Sequence, residues 1–550
     1  MRLVWIVSCV LLLHRGSAAA DGDRWPEIRI QDGTVRGTYA VSSGGRQYAS
    51  FEGIPYAKPP VGFLRFEEPQ GASPWSGVLM SRRPSPCLQY PHRFDFSQPE
   101  IYGDEDCLYV NVYTPNTDEN AKLDVIVHIH GGAFMMGEST IYGPDLLMDR
   151  DVVYVHFNYR LGPLGFLSTE DDVVPGNNGM KDQTMALRWI KNNVHHFGGN
   201  RDSITLTGLS AGGASVHYHY LSPTSRGLFE RGVSMSGSAL CPWTFSEANL
   251  DKAKKLAAAV GCPTDADTRT MVECMKQRPG HHIVAQVPLF MEWMYNPFSP
   301  FGVVVEKGGD RPFLSGHPHD LLKEGKAHDK PWLASVTDAE GLYPAGEFVR
   351  DYTTLLDLEA SWPRLARFVL DYNYTVEPDR HEYVAERAKA FYLKGRPISE
   401  KTFDDLVQMI GDRMFVAGSV QAGRMQAKVN KSPVYFYHFR FRGEHSLTEW
   451  LSATDTDYGV SHADDAAYIM SDFIPLNDVD RPMVETMLDM WTSFAKNGHP
   501  IVKGVKWEPV CSKNEFAYLE IQHWNKMKMR SNERLGHTKF WTGLPINEKL

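Results

Sequence analysis

Hydrophobic and polar positions follow two different periods through the middle of the chain. Leu123-Asp124-Val125-Ile126-Val127-His128-Ile129 is a β-rich apolar run ending in Gly131 and Gly132, and residues 152–157 (VVYVHF) form a second that ends in the turn around Gly162 and Pro163. Residues 180–194 then set Met185, Leu187, Trp189, Ile190 and Val194 among polar partners, which predicts a helix, and residues 204–207 return as a strand. Strand, helix and strand at this spacing predict a βαβ unit, and so a largely parallel sheet with right-handed crossovers. Downstream, 331–336 and 433–439 read as further strands; 252–260, 380–392, 406–429 and 481–496 read as helices. No Gly/Ser-rich linker or repeat separates these blocks. The chain is therefore read as one continuous α/β domain, with helical and loop excursions on a single sheet.

The first twenty residues stand apart from this pattern. Arg2 precedes an apolar run from Leu3 to Leu13, then Ser17-Ala18-Ala19-Ala20 lead into Asp21. That is the pattern of a secretory signal, with cleavage after Ala20, leaving 21–550 as the mature domain. About eleven apolar residues are too few for the roughly twenty of a spanning helix. Loss of Arg2 and Arg15 takes the formal net charge from -10 to -12. The 57 basic residues are scattered, and nucleic acid would demand a basic face, so that partner class is disfavoured. No later run is long enough to span a membrane, and the end at Pro545-Ile546-Asn547-Glu548-Lys549-Leu550 carries neither a lipid-anchor tail nor a retention signal. The expectation is a secreted, extracellular protein without a membrane anchor.

That compartment permits disulfides. Once Cys9 leaves with the signal, Cys87, Cys107, Cys241, Cys262, Cys274 and Cys511 remain, and six thiols allow fifteen full pairings. The intervals Cys87 to Cys107 and Cys262 to Cys274 are the cheapest loops to close. No CxxC pair and no HExxH occurs, so a metal site has no support in the sequence. Asn373-Tyr374-Thr375 is the glycan acceptor with good context, since Asn430-Lys431-Ser432 is followed by Pro433.

The strand ending at Thr207 runs into Gly208-Leu209-Ser210-Ala211-Gly212-Gly213, a GxSxG sequence between strand and helix. A sharp turn there lifts Ser210 above the sheet, and flanking glycines remove side chains that would collide with its neighbours. The new helix aims free amides at the reaction centre, so the Ala211 N–H can help hold a developing oxyanion. For the pentapeptide alone, a tight glycine turn without catalysis is an equal reading.

Its context is more specific. The stretch from Phe197-Gly198-Gly199-Asn200 through Ser210-Ala211-Gly212 resembles a long signature of the type B carboxylesterases, the cholinesterase-like family of α/β-hydrolases. Glu105-Asp106-Cys107-Leu108-Tyr109-Val110-Asn111-Val112 resembles a second signature. Asn158-Tyr159-Arg160-Leu161-Gly162 and Gly176-Asn177-Asn178-Gly179-Met180-Lys181-Asp182-Gln183 lie between them in family order. The resemblance covers essentially the whole mature chain. Ser210 to Tyr218 and Ser238 to Trp243 are most similar to insect carboxylesterases of the venom-carboxylesterase and juvenile-hormone-esterase-like groups. What this implies is the α/β-hydrolase fold: a large, mostly parallel sheet flanked by helices in one domain.

The resemblance also implies the rest of the machinery. A serine hydroxyl needs a base, and the base needs a carboxylate to fix its tautomer. Twenty-one histidines make composition uninformative. Tyr458-Gly459-Val460-Ser461-His462-Ala463-Asp464-Asp465 resembles the family's catalytic-histidine loop, which implies His462 as base. Val336-Thr337-Asp338-Ala339-Glu340-Gly341 ends a predicted strand; the family places Glu before Gly, implying Glu340, whereas the residues alone leave Asp338 an equal rival. His130-Gly131-Gly132-Ala133-Phe134 stands where the family has its glycine-rich oxyanion motif, so Gly132 and Ala133 are implied as amide donors with Ala211, and the Ala133 methyl is expected to narrow the acyl side of the pocket. Asp464 and Asp465 are read as supporting acids, and His195, His196, His217 and His219 as packing or surface residues. The family's ion pairs fall on Arg65 with Glu105 and Arg160 with Asp182, and Ser236 is implied as a partner of Glu340. The family's disulfides fall on Cys87 with Cys107 and Cys262 with Cys274, leaving Cys241 and Cys511 free and expected to be buried.

The function implied is a secreted serine carboxylesterase acting on small apolar esters, with no cofactor. Juvenile hormone esterase is a narrower alternative; Leu209 stands where its usual elbow has Gln. A catalytically silent adhesion protein, of the neuroligin or glutactin kind, is the alternative from another class, set against the three filled catalytic positions. Choline esters are disfavoured: cholinesterases hold the ammonium on a Trp in the first disulfide loop, and Cys87 to Cys107 contains Tyr90, Phe94, Phe96 and Tyr102 but no Trp.

Overall fold

The computed structural model describes residues 25–92, 101–471, 474–511 and 515–548. The expected signal segment 1–20, Phe94 and Phe96 lie outside them. Fourteen strands are present among the described residues, β1(Glu27–Ile30), β2(Gly33–Arg36), β3(Thr38–Val41), β4(Gln47–Pro55), β5(Val78–Met80), β6(Tyr109–Thr114), β7(Leu123–Ile129), β8(Val152–Phe157), β9(Gly199–Leu209), β10(Arg231–Met235), β11(Trp332–Thr337), β12(Val434–Phe439), β13(Ala517–His523) and β14(Lys526–Ser531). Eleven of them form one sheet in the order β14-β13-β12-β11-β10-β9-β7-β8-β6-β4-β3, and β1, β2 and β5 form a small second sheet. From β13 to β8 every pairing is parallel; the two margins turn antiparallel. The result is one domain around a large, mostly parallel sheet flanked by helices, the architecture that the resemblance implies.

The strands are nearly continuous apolar runs because both faces are covered. Along β7, Val125, Val127 and Ile129 join one core with the helices Asn178–Asn193 and Ala211–Leu221, while Ile126 joins a second core with the helix Arg481–Asn497. That last helix buries Met483, Val484, Met487, Leu488, Met490, Trp491, Phe494 and Ala495, a stripe at three- and four-residue steps, and stops at Gly498, which takes the left-handed conformation (φ 72°). Each such large apolar side chain contributes about 1.5–3 kcal/mol by leaving water. Crossover from β8 through Asn178–Asn193 leads to β9, but β7 lies between the two strands.

Several expectations are met to within a few residues: β7, β8, β11, β12 and the helices Asn249–Ala259, His381–Leu393 and Arg481–Asn497. Residues 406–429, read as one helix, are two, Phe403–Gly411 and Ala417–Val429, joined by a π-helical turn Asp412–Val416. In that turn the fully buried Arg413 makes paired bonds to Glu548 near the chain's end and donates to the carbonyls of Leu370 and Asp371. The disulfides Cys87–Cys107 and Cys262–Cys274 are formed. Cys241 is buried as expected, but Cys511 is exposed, because it lies on the surface stretch leading into β13. Among the described residues no helix is long and apolar enough to cross a membrane.

Candidate active site

The site lies beyond the carboxyl ends of the parallel strands, where loops from several strands converge. β9 ends at Leu209, and Ser210 adopts φ 59°, ψ -121° before the helix Ala211–Leu221 begins. A non-glycine residue in such a conformation costs on the order of 1–3 kcal/mol, so its surroundings must enforce it. They do so through the Ser210 N–H, which donates to Met235 of β10 (2.8 Å), and the Ser210 carbonyl, which accepts from Ala214 (2.9 Å). A side chain at Gly212 would put Cβ 1.9 Å from the Ile129 carbonyl oxygen, and one at Gly208 would lie 2.3 Å from the Gly212 backbone. The turn closes only with glycine at both positions.

The loop after β7 is equally constrained. Gly132, Ala133 and Phe134 all have positive φ (109°, 56° and 61°), and the Gly132 carbonyl accepts from Met135 and Met136. Among the described residues the N–H groups of Gly132 and Ala133 donate to no protein acceptor, and the Ala211 N–H opens a helix, where no intrahelical acceptor exists. Gly131 and Gly132 line the cavity that contains Ser210, but Ala133 does not. Its methyl is buried in the core and its carbonyl accepts from Ser299 (2.9 Å), so the expected narrowing of the pocket by this side chain does not occur.

Glu340 follows β11 and is 2% exposed. One carboxylate oxygen accepts from Nδ1 of His462 (2.6 Å); the other accepts from Ser236 Oγ (2.6 Å) and the Thr337 N–H (2.7 Å). Asp338 turns elsewhere, to Arg440 (2.8 Å) and His438 (3.3 Å); burial raises its carboxyl, but these two bonds more than offset that and hold it below the usual range. The geometry thus joins Glu340, and not its neighbour, to His462. Asp464 braces the histidine loop by accepting from the Ser461 and Leu447 amides and from Ser446, and burial pushes it up to about 7. Asp465 accepts from Tyr437 (2.8 Å) and Ser335 (3.1 Å) and is pushed up by burial to about 6.

Ser210 and His462 open together onto a cavity of about 560 Å³. Its remaining wall is chiefly apolar, with Met136, Ile141, Leu209, Tyr343, Leu447 and Ile474, and His445, Glu449 and Trp450 stand at the rim. The helix Leu447–Ser452 that carries Glu449 and Trp450 was not signalled by the sequence, and neither was Tyr343. Trp450 is a tryptophan on the cavity wall, supplied by this helix and not by the first disulfide loop.

Supporting residues fall where the resemblance implied. Arg65 holds Glu105 through two bonds (2.5 and 2.6 Å) and also donates to the carbonyls of Lys276 and Arg278, so it ties the first disulfide loop to the helix that carries Cys274. Buried Arg160 grips Asp182 with two bonds of 2.7 Å. His217 lies flat on Trp332 and bonds Gln426 and the Ala239 amide, and His219 bonds Ser225 and Gln183. Burial lowers them to about 4 and about 3, which makes both neutral packing groups.

Residues 24–541 match the family model of the Carboxylesterase family. The chain is 44% identical to "Venom carboxylesterase-6" of Apis mellifera over 532 residues, 95% of each chain, and 36% identical to "Juvenile hormone esterase" of Tribolium castaneum over 86% of this chain and 84% of that one. The solved structure of juvenile hormone esterase from Manduca sexta, with OTFP covalently attached, superposes with a TM-score of 0.82 at 27% identity, covering 94% of this chain and 99% of that one. On its sequence, its fold and the site at the ends of its strands, this chain belongs to the carboxylesterase family and is a carboxylic ester hydrolase.

Proposed function

We propose that the protein is a secreted serine carboxylesterase whose triad is Ser210, His462 and Glu340. Ser210 Oγ attacks the ester carbonyl while His462 takes its proton; the oxyanion rests on the amides of Gly132, Ala133 and Ala211. Alcohol leaves with that proton, and water activated by His462 releases the acid from Ser210. The observation that carries the reading is the chain from Ser236 through Glu340 to His462, which ends on the cavity that holds the strained serine. Glu340 accepts a hydrogen bond from the Nδ1–H of His462, which keeps that proton on the ring and leaves Nε2 as the base, and the free amides are the kind of donors a developing oxyanion requires. The apolar wall supports small apolar esters as substrates. The leader-like residues 1–20 and the two disulfides support secretion, and the same compartment supports a glycan on Asn373, which is partly exposed.

A narrower reading, hydrolysis of juvenile hormone, is favoured by the two juvenile hormone esterases among the similar proteins and opposed by Leu209 at the elbow.

Hydrolysis of p-nitrophenyl acetate by the mature chain tests the proposal. Ser210→Ala should lower kcat by on the order of 10⁶-fold, and an organophosphate should label one serine per chain. A folded wild type that neither turns over nor labels defeats the triad and leaves a silent interaction protein. A panel with juvenile hormone, naphthyl acetate and acetylthiocholine then ranks substrates; faster turnover of acetylthiocholine than of naphthyl acetate would overturn the apolar-ester preference.

A further inference from the structure

Two aromatic rings lie against the imidazole of His462. The Phe415 ring centroid is 4.5 Å away with the planes 38° apart, and that of Tyr343 is 5.5 Å away at 30°. Both are held in place. Phe415 is fully buried in the π turn Asp412–Val416, where the neighbouring Met414 carbonyl accepts from Trp243 (2.8 Å) and the Phe415 carbonyl accepts from the Cys241 thiol. Tyr343, partly buried on the cavity wall, shares a hydrogen bond with Nδ1 of His92 (3.3 Å). Such contacts hold a neutral imidazole by dispersion. An imidazolium gains more, because the faces of both rings carry negative charge density.

That difference bears on the reaction. As Ser210 Oγ forms its bond to the acyl carbon, its proton passes to Nε2 of His462 and the carbonyl π pair moves onto oxygen, so the ring goes from neutral to cationic. Only an interaction stronger after this transfer than before it lowers the barrier. We propose that Phe415 and Tyr343 are positioning residues that stabilise the His462 imidazolium through their π faces, in addition to the hydrogen bond from Nδ1 to Glu340. This rests on the reading of His462 as the base.

The titratable groups facing the imidazole are Glu340 at Nδ1, Asp465 beside it, the hydroxyls of Ser210 and Tyr343, and His445 with its partner Glu449 at the rim. The π turn brings no charge of its own to bear: Asp412 bonds Tyr392 and His537, and Arg413 bonds Glu548. Draining one ring of charge density therefore changes a single contribution.

The test places mono-, di- and trifluorophenylalanine at position 415 in the full chain, which weakens the π face in steps at almost constant shape. The readout is the pH profile of kcat/KM for p-nitrophenyl acetate. The plateau should fall stepwise by a total of about 3- to 5-fold, with a matching downward shift of the acid limb. Tyr343→Phe should retain the wild-type limb and Tyr343→Leu should shift it downward, a split that lost packing alone would not produce. Superimposable profiles across the fluorinated series and both Tyr343 variants, with Ser210→Ala and His462→Gln inactive, overturn this inference and leave the esterase reading standing. An active His462→Gln variant overturns both.

Discussion

Glu340 and Glu347 sit seven positions apart, in the loop after β11 and in the short helical turn Gly346–Val349, and are 2% and 1% exposed. Burial therefore does not distinguish them; partners do. Glu340 accepts three hydrogen bonds, spread over both oxygens, from His462, Ser236 and a backbone amide. Glu347 accepts one, from Tyr295 (3.0 Å), and among the described residues its second oxygen has no partner. Burial pushes Glu347 up to about 10, and neither the Tyr295 bond nor the charge of Arg350 offsets that. One carboxylate meets donors at both oxygens, whereas burial keeps the other as a neutral acid. A buried acid does electrostatic work only where the fold supplies its donors.

Glu340→Gln should break the contrast most severely: kcat on p-nitrophenyl acetate falls by about 10⁴-fold, because the amide can no longer fix the histidine tautomer. Circular dichroism should confirm an unchanged fold. Removing one of the donors is milder. Ser236→Ala should lower kcat by roughly 10-fold, the size of one hydrogen bond to a charged group, as initial rates at saturating substrate would reveal. Glu347 responds to pH instead. Its folded value lies above the ordinary 4.5, so its contribution to stability is complete below pH 4.5 and is lost as pH rises toward about 10. Urea unfolding at pH 5, 7 and 9 should show Glu347→Gln gaining on the wild type by up to about 1.4 kcal/mol per pH unit. The smallest effect is the sharpest comparison: at pH 6 Glu347→Gln, which replaces one neutral group by another, should change kcat/KM by less than about 2-fold. A large loss there would mean that Glu347 is charged in the working enzyme.

Much of this arrangement is legible along the chain. The runs 123–129 and 152–157 are readable because a strand covered on both faces needs apolar residues at nearly every position, and Arg481–Asn497 because its stripe is regular. The helix Tyr352–Val369 carries Pro363 in its interior, a residue that removes a helical hydrogen bond and so masks the pattern. Residues 406–429 keep an apolar spacing close to that of one helix, and a π turn within it has no period of its own. The antiparallel margins are harder still: β14 alternates Met527 and Met529 with exposed residues over a short edge. At the site, the glycines of the elbow announce themselves, since close backbone approach tolerates nothing else. The choice between Asp338 and Glu340 is made by residues far away in sequence, Arg440 and His438 drawing one carboxylate and Ser236 and His462 the other. Phe415 and Trp450 carry no local mark because contact with the site comes only from the packing of distant segments.

The bond between Arg413 and Glu548 has a consequence for how the chain is made. A nascent chain leaves the ribosome from its amino terminus, so Ser210, Glu340 and His462 all emerge well before residue 548 does. Until then the guanidinium in the π turn lacks its hydrogen-bonded carboxylate and has only the more distant charge of Asp371, and removing one partner of a buried ion pair is destabilising. The turn that sets Phe415 beside His462 therefore locks late in biosynthesis. A translation product cut short before residue 548 would carry every proposed triad group and hold the turn beside His462 less firmly.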